Sequence, residues 1–363
     1  LAESLPLLWK KRLRSPGVGG LAATEKLVIV SGREAGNTLD GFRCLNTANG
    51  DEVWKLTYEA QGDLDYGNSP RATPQIYQDF VVLQGAFGQL HCVRLDTGAV
   101  VWKKDLRKEF DVSTKTIWGH ASSPLIADHK LIVNPGGADA SIVALEPATG
   151  KLIWKIPGAP AAFASFITVK VAGKTQIIGY DAESLFGLDV ADGSVIWRLK
   201  PRHSGDFNVP TPILWRDKLI VSTENNGTRL FEFQADGVLN SQPLAVNDQL
   251  TPDTQTPVVV GNRLLGVWDS LHCLDIERGL QRVWAGENPT YLQYSTLIAS
   301  NDRVLITGIH GELLLIDPLA LEYREVSRIE GVDGDSGVFA HPAIVGQKLY
   351  LRTSSDIRCI SLA

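Results

Sequence analysis

The tripeptide Leu-His-Cys occurs twice, at Leu90 and Leu271, and each copy sets an imidazole beside a thiol as a metal site would. Neighbouring residues on a strand point to opposite faces, so His91 cannot share an ion with Cys92, nor His272 with Cys273. The acidic turns "GDLDYGN" (Asp63, Asp65, Asn68) and "GVDGDSG" (Asp333, Asp335) carry oxygens that suit calcium, yet neither has the spacing of a calcium loop. Both read as solvated turns, and no metal is expected. Nucleophile elbows, P-loops and zinc-binding helices are missing, and "GVGG" at Gly17 precedes no predicted helix. No catalytic residue can be assigned.

A second set of polar side chains sits where short β-rich runs begin: Asn68, Ser69, Arg71, Trp118, His120, Ser122, Asn208, Thr211, Gln255, Tyr294, Ser295 and His341. They either line a wet channel and bind only water or build a pocket for a small ligand or peptide. The ligand-binding candidates are Arg71, Trp118, His120, Asn208, Gln255, Tyr294 and His341, with Arg71, Trp118, His120 and His341 as anchors.

The elements that must position them repeat. Aligned on turn glycines, "CLNTANGDEVW" (44–54), "CVRLDTGAVVW" (92–102), "ALEPATGKLIW" (144–154) and "GLDVADGSVIW" (187–197) share one pattern. A small residue precedes Gly by six and Trp follows it by four. "CLDIERGLQRVW" from Cys273 carries one extra residue, "FEFQADGVLNS" puts Ser241 in place of Trp, and "LIDPLALEY" has lost both Gly and Trp. Each unit of about 45 residues reads as four short strands with tight turns, the sequence signature of a propeller blade. Eight units fill the chain, so the expected fold is an all-β, eight-bladed propeller in one domain, 1–363, of four-stranded antiparallel blades. The last unit lacks an outer strand and the chain opens with an orphan "LPLLWKKRL", so an N-terminal strand over about 4–13 should complete blade eight.

This assigns the repeat to architecture. Gly50, Gly98, Gly150, Gly193 and Gly279 permit the positive φ of the turn, and Trp9, Trp54, Trp102, Trp154, Trp197 and Trp284 dock against the next blade. The small residue six before each Gly should leave room for a neighbouring indole. Cys44, Cys92, Cys273 and Cys359 share one register in four blades, and sheets packed about 10 Å apart are too distant for disulfides. Four buried free thiols are expected.

These tryptophan-docking repeats resemble those of the PQQ-like (pyrroloquinoline quinone repeat) eight-bladed β-propellers, BamB-like at whole-chain scale. The resemblance implies a non-catalytic, extracytoplasmic bacterial scaffold that binds a protein, a peptide segment or a small ligand on its top face and channel mouth. That face carries the varied interblade links at 55–73 and 103–121. Quinoprotein dehydrogenases in the same family imply an alternative, PQQ-dependent oxidation, with a vicinal cysteine pair and calcium beside the cofactor. No two cysteines here are adjacent, so PQQ with calcium is disfavoured and no cofactor is expected. A channel-site enzyme acting on carbohydrate is a further alternative.

Composition sets the outer limits. A chain of 363 residues, 44% hydrophobic and 21% charged, can bury substantial cores. Its formal net charge of -6 argues against nucleic acid as a partner. No apolar run is long enough for a transmembrane segment, the opening "LAESLPLLWKK" does not read as a signal peptide, and a monomer is expected.

Overall fold

The computed structural model describes residues 5–13, 17–331 and 337–362. The described strands form eight four-stranded antiparallel sheets. In the first, Ala22–Ala23, Leu27–Arg33, Leu39–Asn46 and Glu52–Glu59 follow one another as a simple meander. The pattern recurs at 75–105, 125–156, 167–199, 213–247, 258–286 and 295–329. The eighth sheet takes Ala343–Val345, Lys348–Arg352 and Asp356–Ser361, and its fourth strand is Leu7–Arg12 from the other end of the chain. This is the blade complement of an eight-bladed β-propeller, nearly all β. Serine at position 4, where the expected first strand began, lies outside the described residues. No helix among the described residues is long and apolar enough to cross a membrane.

Burial explains the two kinds of strand. A second strand such as "LVIVSGR" is covered on both faces and is nearly continuous in apolar residues, whereas the outer "EVWKLTYE" buries one side chain fully, Trp54. Internal packing gathers the sheets at 22–59, 75–105, 125–156 and 343–361, with Leu7–Arg12, into one compact unit, and the four sheets from 167 to 329 into another. Within each unit the core lies between consecutive sheets. Ile29, Phe42 and Trp54 pack with Val81, Leu83 and Val93 in one unit, and Ile178, Tyr180 and Trp197 pack with Leu219, Val221 and Phe231 in the other.

The glycine turns share one geometry. Gly50, Gly98, Gly150 and Gly193 have φ of +74°, +69°, +69° and +77°, and each donates its N–H four residues back. Gly279 instead bonds three residues back and is followed by Leu280 at φ +60°, which accommodates the extra residue of that copy. Each small residue proves to be the cross-strand partner of the tryptophan in its own sheet, as in Cys44 with Trp54, Cys92 with Trp102 and Gly187 with Trp197, and a bulge follows each pair. The neighbouring sheet supplies the turn glycine instead. A methyl group on Gly50 would lie 2.7 Å from the Trp9 ring, and one on Gly98 2.7 Å from that of Trp54.

The indole N–H groups bond across to the next sheet. Trp9 donates to the carbonyl of Thr47 (2.9 Å), Trp54 to Leu95 (2.8 Å), Trp102 to Pro147 (2.8 Å) and Trp284 to Ala320 (3.1 Å). Trp197 donates to Gln176 Oε1 of its own sheet at 2.9 Å, and Gln176 Nε2 passes the link to the carbonyl of Gly237 at 2.8 Å. Where the fifth repeat lacks its outer tryptophan, Trp215 on the first strand donates to the carbonyl of Gly261 at 2.8 Å.

Candidate functional site

In the unit containing the first sheet, two long interblade loops, 60–74 and 106–124, are tied together by Asp65 N–H donating to the carbonyl of Ile117 at 3.1 Å. Arg71 turns back on its own loop: Nη1 donates to Ser69 O at 3.1 Å, and Nη2 donates to Gly67 O at 2.9 Å and to Asp65 O. Asn68 accepts from Leu64 N–H at 2.8 Å and donates to Asn37 Oδ1 at 3.2 Å. Gly119, at φ +68°, lets the second loop press onto Ala86 and Leu64, where a methyl group would meet the Ala86 carbonyl at 2.3 Å. The result is a braced platform from which Tyr66 (80% exposed) and Ile117 (51%) project. Tyr66 sits at φ +62°, a left-handed conformation unfavourable for an aromatic residue, held by the carbonyl bonds on either side of it.

A buried ion pair supports the same loops from below. Arg33 bonds Asp40 Oδ1 at 2.7 Å and Asn37 Oδ1 at 3.0 Å, donates to the Ala60 carbonyl, and stacks on Phe87. Burial pushes the Asp40 carboxyl up to about 6, against the pull of Arg33. Burial also lowers Arg71 from its ordinary value, against the nearby Asp40 and Asp65 charges. His120 is buried, with its backbone N–H on the Ala86 carbonyl at 2.8 Å, and burial, helped by Arg107, lowers its imidazole to about 4. His341 is exposed at the start of the eighth sheet, where its carbonyl accepts from Leu21 N–H at 3.1 Å. Trp118 is half-buried.

The remaining candidates lie in the other unit and serve its backbone. Asn208, at φ +53°, accepts Ala164 N–H on its carbonyl at 2.7 Å and donates Nδ2 to Asp181 O at 3.4 Å. The Gln255 amide bridges two sheets when its nitrogen faces Val267 O (3.0 Å) and its oxygen faces Ser295 N–H (3.2 Å). Thr211 accepts from Ser165 N–H at 3.3 Å and donates its own N–H to Thr256 Oγ1 at 3.0 Å. Tyr294 is half-buried, and burial raises its phenol to about 12. Arg71, Trp118, His120 and His341 thus fall in one unit and Asn208, Gln255 and Tyr294 in the other.

All four cysteines are free and buried, and burial pushes the thiols of Cys44 and Cys273 up to about 12 and that of Cys92 to about 11. They stand in separate sheets, so the vicinal cysteine pair implied by the quinoprotein resemblance has no counterpart. His91 stacks on Tyr58 with ring centroids 4.4 Å apart, and His272 Nε2 faces Ser270 Oγ at 3.1 Å and Trp268 O at 3.2 Å. Among the described residues, no three His, Cys, Asp or Glu side chains group as metal ligands would. Asp63 and Asp65 are exposed, whereas Asp333 and Asp335 lie outside the described residues.

Sequence reasoning missed Tyr66 and Ile117, which belong to no repeat. It named Asn208 but not the small cleft that this residue lines, between the sheets at 167–199 and 213–247, with Tyr180, Leu185, Asp206 and Arg229. For Tyr66, its place within "GDLDYGN" is the signal that the sequence offers.

Comparisons with known proteins agree with this architecture. A search of curated proteins finds no match. The structure of BamB from Moraxella catarrhalis is similar over 99% of this chain and 100% of that one, with a TM-score of 0.71 and 14% identity. The computationally designed Ika8 protein matches over 98% and 99%, with a TM-score of 0.69 and 12% identity. The quinohemoprotein alcohol dehydrogenase ADHIIG from Pseudomonas putida HK5 matches over 99% of this chain and 76% of its own, with a TM-score of 0.70 and 12% identity. Likeness at such identities establishes the fold and leaves the activity open. The family model described as outer membrane protein assembly factor BamB matches residues 2–108 and 40–286, and with most of its length so covered the chain belongs to that PQQ-like propeller family.

Proposed function

We propose that the protein is a non-catalytic, extracytoplasmic scaffold that binds a protein partner through the face built by loops 60–74 and 106–124. The braced presentation of Tyr66 carries this reading. An aromatic side chain is held in solvent, in a strained backbone conformation, by bonds that order its loop before any partner arrives. Tyrosine is among the residue types that dominate interface energetics, and a preordered loop spares the entropy otherwise lost on binding. Membership of the family described as outer membrane protein assembly factor BamB supports an extracytoplasmic bacterial location and a protein as the ligand. Arg71, Asn68 and His120 act as positioning residues that hold the platform.

A photo-crosslinking phenylalanine analogue at position 66, activated in the native cells, tests the reading. One discrete adduct is expected, and Ile117→Asp should abolish it while leaving the melting temperature unchanged. Absence of an adduct, or an adduct indifferent to Ile117→Asp, would overturn the docking face.

The dehydrogenase among the similar structures favours a second reading, a quinoprotein oxidoreductase. The residues present do not supply its cysteine pair. Titration with PQQ and calcium should leave both the melting temperature and the cofactor spectrum unchanged, and a saturable shift in either would replace the scaffold reading.

A further inference from the structure

In the unit holding the sheets from 167 to 329, the loops at one end of the later sheets carry charge of a single sign. In a four-stranded antiparallel meander, the turn between the second and third strands and the link to the next sheet leave the same end of the sheet. At that end the segments 224–226, 248–257, 268–270, 287–294 and 309–312 contain six carboxylates, Glu224, Asp248, Asp253, Asp269, Glu287 and Glu312, with one histidine, His310, and no lysine or arginine. Among the described residues, no lysine or arginine comes within 4.0 Å of any of the six to form an ion pair. At the other end of the strands 263–275, by contrast, Asp275 meets Arg263 at 2.7 Å.

These segments are knitted together. Burial chiefly, then the charges of Asp206 and Asp253, raise the Glu224 carboxyl against the bond it accepts from Phe207 N–H, which places Asp253 beside Glu224. With its nitrogen toward Val267 O at 3.0 Å, the Gln255 amide ties the Asp253 link to the residue before Trp268. The helical turn Pro289–Leu292 packs on the strands Arg263–Trp268 and Ser270–Asp275, with Tyr291 buried beside Val267 and Leu271. A methyl group on Gly308 would collide with both Thr290 and Glu312, so that carboxylate stands against the same helical turn.

Two large apolar side chains stand in solvent among these charges: Trp268, 38% exposed, and Leu292, 71% exposed. The turn beside Trp268 is fixed, because Asp269 takes φ of +55° and accepts from Ser270 Oγ at 3.0 Å, while His272 Nε2 faces Trp268 O at 3.2 Å. An aromatic and an aliphatic anchor within a field of unpaired carboxylates complement a segment that alternates apolar residues with lysine or arginine. We propose that this end of the unit is a second docking surface, which takes a basic polypeptide segment. The apolar residues of the segment cover Trp268 and Leu292, and its lysine or arginine side chains meet Asp253, Asp269, Glu287 and Glu312. The surface lies in a different unit from the Tyr66 platform and does not rest on it, so either can fail without the other.

The test titrates the whole protein into short fluorescein-labelled peptides, amidated at the C-terminus and alternating lysine with leucine, lysine with serine, or glutamate with leucine, read by anisotropy. Saturable binding of the lysine-leucine peptide is expected, weakening as salt rises, with the lysine-serine peptide weaker by about tenfold or more and the glutamate-leucine peptide inert. Trp268→Ser should weaken binding by about tenfold or more, and Asp269→Asn combined with Glu312→Gln by about threefold or more. Leu292→Ser, at a mostly exposed position, carries the test if Trp268→Ser folds poorly. Asp192→Asn with Asp236→Asn, which neutralises two exposed turn carboxylates at the other end of their sheets, should bind like the parent. The proposal is overturned if the lysine-leucine peptide does not bind, or if the Trp268, Leu292 and carboxylate variants bind like the parent. It is also overturned if the lysine-serine peptide or free spermine binds as tightly as the lysine-leucine peptide, which would mark attraction for any polycation.

Discussion

Tyr66 and the polar residues beside it illustrate what single side chains do here. Arg71, Asn68 and Gln255 are the types that recognise ligands, yet their donors are directed mainly at carbonyls of the chain, because loops between sheets leave backbone groups that need partners. Histidines follow a different logic. Burial, with Lys103 for His91 and Arg107 for His120, lowers both from the ordinary 6.5 to about 4. The neutral forms therefore contribute stability that is complete above pH 6.5 and lost as pH falls toward 4, about 3 kcal/mol for each. Asp40 works in the opposite sense: its folded value of about 6 lies above the ordinary 3.8, so the fold gains as pH falls through 6, again by up to about 3 kcal/mol. The two histidines outweigh Asp40 and the smaller rise at Glu224, and the lowered carboxyls of Glu34, Glu325 and Asp356 act in the histidines' sense. Urea midpoints should therefore fall between pH 7 and pH 4.5, and His91→Gln should flatten the slope. An unchanged profile in His91→Gln would contradict the burial argument.

At the level of the element, the recurring unit is a hairpin whose turn glycine, at Gly50, Gly98 and Gly150, touches the tryptophan of the preceding sheet. Two constraints meet at Gly98: φ of +69° and an indole 2.7 Å from any added methyl group. Gly36 has φ of +89° but open space around it. Gly36→Ala should cost only backbone strain, about 1 kcal/mol, whereas Gly98→Ala should add roughly 1–3 kcal/mol for displacing the Trp54 ring. Equal losses in paired denaturant titrations would show that the ring contact contributes nothing. The same hairpin explains how one copy tolerates change. Where the fifth repeat lost its outer tryptophan, Trp215 on another strand makes the bond to the following sheet.

For the molecule as a whole, the decisive contact joins the two chain ends. Leu7–Arg12 pairs with Asp356–Ser361, with Trp9 opposite Cys359. Trp9 and Leu13 bury their side chains with Tyr350 and Ile357, and Lys10 meets Asp356 at 2.9 Å. This strand covers what would otherwise be an open sheet edge. Trp9→Ala should cost about 3–5 kcal/mol. Deleting residues 1–13 should convert a single size-exclusion peak into aggregates and lower the melting temperature. A truncated protein that melts and elutes like the parent would show that the pairing is dispensable.

The repeat, the number of sheets, the closing strand and the isolation of the thiols were all legible in residue order. Each depends on local periodicity, such as the six-before and four-after spacing around the turn glycines, and local periodicity survives without knowledge of distant neighbours. Tertiary structure alone decided which polar groups are consumed and which remain. Arg71 and Arg229 look alike in a sequence, but one spends its terminal nitrogens on its own loop and the other keeps a buried Nε without a hydrogen-bond partner. Hydrogen-bond satisfaction is set by atoms that converge from separate sheets, and spacing along the chain carries no record of that convergence.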